Sequence, residues 1–256
     1  PLLFHASPCM SLMYYAIGVE EDGHLGQVGR RAWTEAGDSW KAYGSREIPT
    51  SFGYLIRLNE MEEIEQEAVQ LAEHAVSASP EDVNLLFNLS FAYSNAQRWE
   101  EAVSSARKVV ELMPGRGAFD RWLGQMLLLA GQAEEADRIF KSIKQKYHRT
   151  MGLVLSSHAL GRQPESDSLL AQWAGPDGSL APPFHIAYVH AFRGDMDQAF
   201  EWMERAAADP KTVAKAATFP MLLNLHDDPR WLPFLASIGK APEQLAGIEF
   251  SVKLPR

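Results

Sequence analysis

Arginine and asparagine side chains on successive helical stretches are the groups in this chain best suited to holding a ligand. Arg57, Asn84, Asn88, Asn95, Arg121 and Gln125 each fall one turn away from an apolar stripe. A guanidinium presents a planar fork of donors that fits a carboxylate through two bonds at once. Asparagine and glutamine amides can bond to a peptide backbone from either end. Phe91 would add an apolar contact, and Phe184, Tyr188 and Phe192 would line the same kind of wall further along. Arg57, Asn88 and Arg121 are the core of this expected binding set, and its ligand is an extended peptide with an acidic or C-terminal carboxylate. The competing account is that Arg57 and Arg121 are simply solvated, as most arginines are.

Residues for covalent or acid–base chemistry are missing from the pattern. The chain has no G-x-S-x-G elbow, no phosphate-cradling Gly-Lys-Ser/Thr loop and no H-E-x-x-H. A lone Cys9 cannot form a paired-cysteine zinc site or an intrachain disulfide. His185 and His190 are five residues apart, so on a helix they face different ways and read as packing residues. His226 stands beside Asp227 and Asp228, acids that helix capping accounts for. Asn88-Leu89-Ser90 matches a glycosylation acceptor, but it lies inside a helical stretch and no secretory signal is visible. No catalysis, metal or cofactor is expected.

Charge and hydropathy narrow the partners. The net charge of −9 opposes sequence-independent nucleic-acid binding. Arg30-Arg31 and residues 141–149 are the densest basic stretches and read as solvated faces. No segment approaches the ~20 apolar residues of a membrane span. A cytoplasmic protein- or peptide-binding role is the expectation. The chain starts at Pro1, which reads as part of a longer protein.

The elements that would position these residues follow a period. Pro80 and Pro114 are 34 apart, as are Leu55, Leu89 and Leu123 in succession, and Ala68, Ala102 and Ala136. Ala72, Ala106 and Phe140 keep the same interval. Small residues at one fixed point with a closing proline resemble the tetratricopeptide repeat, a helix–turn–helix unit. The expected fold is therefore all-α, an α-α superhelix in which the first helix of each pair lines the concave wall.

Repeats are expected from residue 49, at 83–116 and from 117. Two looser units follow, with turn glycines Gly161 and Gly194. Gly131 makes the turn of the third unit, and Asn95-Ala96-Gln97 that of the second. Ser79-Pro80-Glu81-Asp82 supplies a helix cap, and Leu123-Gly124 marks a place where two helices touch. The run Glu60-Met61-Glu62-Glu63 reads as an exposed helix end or turn. Residues 1–48 read as a degenerate repeat, 49–210 as the array, and 211–256 as a cap and tail. In that tail Asp228 would cap a helix with Pro229 at its first position, and Gly239 would close it. Residues 248–252 alternate like a strand but are too few to make a sheet.

Further motifs carry a narrower resemblance. Phe184-His185-Ile186-Ala187-Tyr188-Val189, Arg193-Gly194-Asp195, Ala199-Phe200-Glu201-Trp202 and the stretch from His226 to Leu235 resemble the C-terminal repeat region of large bacterial signalling proteins. Gly115-Arg116-Gly117 and Ala246-Gly247-Ile248-Glu249-Phe250 match as well. In those proteins a winged-helix or class III nucleotide cyclase domain precedes a TolB-like segment and the array. The resemblance implies a non-enzymatic regulatory or scaffold part, binding a protein or peptide. Two other readings stand beside it: an array that only connects or oligomerises attached domains, and an enzyme with its site in the N-terminal segment or the groove.

Overall fold

Among the described residues, helix pairs recur where the apolar stripes and small residues recur. A computed structural model describes residues 61–175, 178, 180–209, 213, 216–241 and 244. The expected degenerate segment 1–48, Arg57 and the strand-like 248–252 lie outside the described residues, and so do the side chains of the acidic run at the start of the first helix. The described residues are all-α, with no strand among them. The α-helices are α1 (Met61–Ala78), α2 (Val83–Asn95), α3 (Trp99–Leu112), α4 (Gly117–Leu129) and α5 (Ala133–Ser142). They continue with α6 (Lys146–Ala159), α7 (Gln163–Ala174), α8 (Pro183–Arg193) and α9 (Met196–Ala206). Two 3-10 turns, Ala216–Thr218 and Pro220–Leu225, precede α10 (Trp231–Ser237). No helix among the described residues is long and apolar enough to cross a membrane.

The chain divides into two compact units, residues 1–97 with 235–256, and residues 98–234. In the first, α1 packs on α2. Asp82 caps α2 as its sequence position suggests, accepting from the backbone of Asn84 at 2.8 Å and of Leu85 at 3.1 Å. The Tyr93 hydroxyl donates to Glu73 Oε1 at 2.7 Å and joins the two helices.

In the second unit α3 packs on α4, α4 on α5, α5 on α6, α6 on α7 and α8 on α9, and the first helix α6 also touches the first helices α4 and α8. The three pairs α4/α5, α6/α7 and α8/α9 turn in the same way. Gly131, Gly161 and Gly194 have φ of +73°, +72° and +79°, the left-handed region that glycine enters without a side-chain clash. The next residue then closes the helix: Gln132 donates to Leu127 C=O at 2.8 Å, Arg162 to Ser157 at 2.8 Å, and Asp195 to His190 at 3.0 Å. These are the three turn glycines that the repeat pattern picks out. Ala102, Ala136 and Phe140 are wholly buried, in keeping with the same pattern.

Phe140 of α5 has an unusual seat. A Cβ on Gly124 of α4 or on Gly152 of α6 would overlap its ring. Two helix backbones therefore flank one aromatic ring, which sets how closely α4 and α6 approach. Nearby, Asp137 is almost wholly buried and ties α5, α6 and α7 together. It accepts from Ser156 Oγ at 2.9 Å and pairs with Lys141 at 2.6 Å, with Arg162 at 3.8 Å. Burial opposes its charge, but the Lys141 and Ser156 bonds outweigh that and hold the carboxyl below its usual range.

The tail departs from expectation in one respect. Asp228 accepts from the Arg230 backbone at 2.9 Å, but α10 starts only at Trp231, whose first helical bond runs from Phe234 N–H to Arg230 C=O. Asp228 closes a turn before the helix, and Pro229 stands in that turn and not at the first helical position. Gly239 does end the segment, with φ +73° and the Lys240 N–H on Leu235 C=O at 2.8 Å. The 3-10 turn Pro220–Leu225 packs on α8, and Asn224 donates to Ala191 C=O at 3.0 Å. Arg230 bonds Asp197 of α9 at 2.7 Å and lies 4.4 Å over the Phe200 ring.

Two outcomes are expected from this packing. Phe140→Ala should lower the unfolding free energy by about 3–5 kcal/mol, the usual range for a buried phenylalanine. Gly152→Leu should also destabilise, while the double variant should lose less than the sum, because the new side chain fills the vacated space. Urea unfolding of the three variants checks this, and strict additivity would refute the clamp.

A chain ending after Asp209 should melt lower and bind hydrophobic dyes, since Met221, Leu222, Leu225 and Trp231 are buried in the intact chain. An unchanged melting curve would mean that the tail covers nothing.

Candidate functional site

Three first helices bring their i, i+4 stripes together in the second unit. From α4 come Arg121 and Gln125, from α6 Tyr147 and Met151, and from α8 Phe184 and Tyr188. Arg121 Nη1 donates to Gln125 Oε1 and to the Tyr188 hydroxyl, both at 3.1 Å. Gln125 Nε2 donates to the same hydroxyl at 3.3 Å, and that hydroxyl donates to Met151 Sδ at 3.1 Å. Residues 63 and 67 positions apart in the chain thus share one small network. Gln125 and Tyr188 are wholly buried, so they hold Arg121 and do not themselves face a ligand.

Aromatic rings surround the network. The Tyr188 ring lies 5.0 Å from Phe219, 5.4 Å from His185 and 6.0 Å from Phe184. Tyr147 shares a 2.5 Å hydrogen bond with His185 Nδ1 and packs 5.7 Å from Trp173. Burial pushes both phenols upward in pKa, Tyr147 strongly, so both remain neutral. Burial, and then the nearby Arg121 charge, push the His148 imidazole below its usual value.

Arg121 is half-buried, and its partners are an amide and a phenol. Among the described residues it makes no ion pair. Its Nε and the His148 Nδ1 are buried without a hydrogen-bond partner, as is Trp173 Nε1. Asp120, adjacent in the chain, does not pair with it; burial holds that carboxyl above the usual range. The guanidinium thus has one edge occupied by neutral groups while the Nε edge has no acceptor. An oriented cation without an ion pair can take an anion at whichever of its remaining N–H groups reaches solvent; Nε itself is buried.

The other expected residues fall elsewhere. Asn84 is exposed on α2, and Asn88 and Asn95 are half-buried there, all in the first unit. Phe91 is only 4% exposed, so its ring is not offered as an apolar contact. Arg57 lies outside the described residues. Tyr147, His148 and Trp173 belong to the constellation but were not among the expected site residues; Trp173 reads in the sequence only as an apolar residue of the fourth unit. Their unit departs from the 34-residue spacing: α4 to α6 is 29 residues start to start, and α6 to α8 is 37.

No family model matches the chain, and no curated protein matches it. Among solved structures, the crystal structure of YrrB, described as a TPR protein with an unusual peptide-binding site, is 16% identical. The match covers 73% of this chain and 98% of that one, with a TM-score of 0.37.

The His148 environment makes a measurable prediction. Replacing Arg121 by Gln should raise the His148 pKa seen by NMR, because one of the two influences depressing it disappears. A folded-state pKa below the unfolded value means that the His148 contribution to stability is complete above about pH 6.5 and is lost as pH falls through the folded pKa. A His148 titration unchanged in the Arg121→Gln chain would separate the two groups.

Proposed function

We propose that this chain is a non-enzymatic helical-repeat module that binds a protein or peptide, with Arg121 receiving a carboxylate of the ligand. The observation that carries this reading is the guanidinium itself: oriented by Gln125 and Tyr188, unbonded at its Nε and, among the described residues, without a carboxylate of its own. The rings around it supply apolar contact without a competing charge. The all-α pairing of the helices supports a binding surface built by stacked units. The C-terminal motifs support a further reading, that the chain is the regulatory part of a larger bacterial signalling or transcription protein acting in the cytoplasm, with residues 211–256 as its cap.

The test uses two pooled peptide libraries, identical except that one ends in a free carboxylate and the other in a carboxamide. The chain should select from the first, and acidic residues should be enriched near the end. Arg121→Gln should weaken the selected peptides about tenfold or more, the usual effect of losing a charge-assisted bond. Its circular dichroism melt, followed alongside, shows that the helices persist. Equal selection from both libraries, or affinities indifferent to Arg121, would sink the reading.

A further inference from the structure

A cavity of about 510 Å³ lies between α7, α8 and α9, away from the Arg121 network. Its size falls within the ~300–1,000 Å³ of ordinary small-ligand sites. Leu170 and Ala174 of α7 and Ile186 of α8 give it an apolar lining. Trp202 of α9 forms one wall, and Arg205 fixes the plane of that ring from 4.2 Å while bonding Glu201 at 2.5 Å. Gly178 lies directly on the Trp202 ring, where a Cβ would overlap the indole.

One polar group in this lining has a defined direction of hydrogen bonding. His190 Nδ1 lies 3.1 Å from Asp195 Oδ2. The same oxygen accepts from Arg193 Nε at 3.0 Å, and Arg193 also bonds Ser166 Oγ at 3.2 Å and pairs with Asp167. An oxygen that already accepts from a guanidinium accepts from the imidazole too, so Nδ1 carries the proton and the remaining nitrogen, Nε2, is an acceptor. Burial pushes the imidazole below its usual pKa against the pull of Asp195, which keeps that nitrogen unprotonated near neutrality. The charged groups of the lining are two acids, Asp167 and Glu201, and one base, Arg205, a balance that opposes an anion.

We propose that this cavity is a separate binding site for an uncharged planar aromatic molecule bearing an N–H donor, which His190 Nε2 accepts while Trp202 packs on the ring. An aromatic ring with an N–H satisfies all three features at once: apolar lining, aromatic wall and an oriented acceptor. A carboxylate or phosphate satisfies none of them.

The probes are indole and 1-methylindole, which differ in the single donor. Isotope-labelled chain is titrated with each and followed by NMR. Indole should shift the resonances of His190 and Trp202, and 1-methylindole should bind at least about tenfold more weakly. In His190→Phe the two probes should bind alike, and in Trp202→Ala both should weaken. The proposal is overturned if indole leaves His190 and Trp202 unshifted, if the unaltered chain binds both probes equally, or if folded His190→Phe keeps the preference. The comparison of the two probes on the unaltered chain decides the matter even where a variant fails to fold.

Discussion

The contact on which the second unit depends is the Phe140 ring between Gly124 and Gly152. No side chain but hydrogen leaves room for that ring on both helices, so the separation of α4 and α6 is set there. The consequences run outward along each helix. Gln125 follows Gly124 directly and Arg121 lies one turn before it; Met151 precedes Gly152 and His148 lies one turn before that. The network that holds Arg121 therefore inherits its geometry from an apolar contact that touches none of its polar atoms. Asp137, one turn from Phe140 on α5, adds a charged tie across the same helices.

The repeat made the fold readable and the site only partly so. Period and small residues located the turn glycines Gly131, Gly161 and Gly194 and the buried positions Ala102, Ala136 and Phe140, because those roles depend on local backbone and close approach. Arg121, Gln125 and Tyr188 were all picked out by the sequence, and hydrogen bonds bring them together. Their depth was not legible: helical periodicity assigns a face, but burial depends on which helix lies opposite. Phe91 shows the same limit, since it reads as a groove residue and is buried. Tyr147, His148 and Trp173 lie where the spacing slips to 29 and then 37 residues, so a fixed register assigns them no face. Asp228 misled for a different reason, because an acid followed by proline suits a turn as well as a helix start.

Two arginines of the second unit show how context decides what one side chain does. The Arg193 side chain is 5% exposed and fully engaged by Asp167, Asp195 and Ser166, so its charge is spent inside the molecule as a tie between α7, α8 and the turn before α9. Arg121 is held as firmly in position, yet by groups without charge. The first is what a buried cation needs in order to be tolerated at all. The second leaves a charge that is oriented and, among the described residues, uncompensated, which is costly for folding alone and is what the proposed carboxylate would pair with.

Helix α8 is common to both proposed sites. Phe184, His185 and Tyr188 look to the aromatic network, while Ile186 and His190 look to the cavity. Eleven residues make a short rod with little capacity to bend between Tyr188 and His190. A shift or rotation of that rod imposed from one side must be expressed on the other. Thermodynamic linkage then requires reciprocity: whatever factor an occupant of the cavity applies to affinity at the network, an occupant of the network applies to the cavity, with the same sign and size.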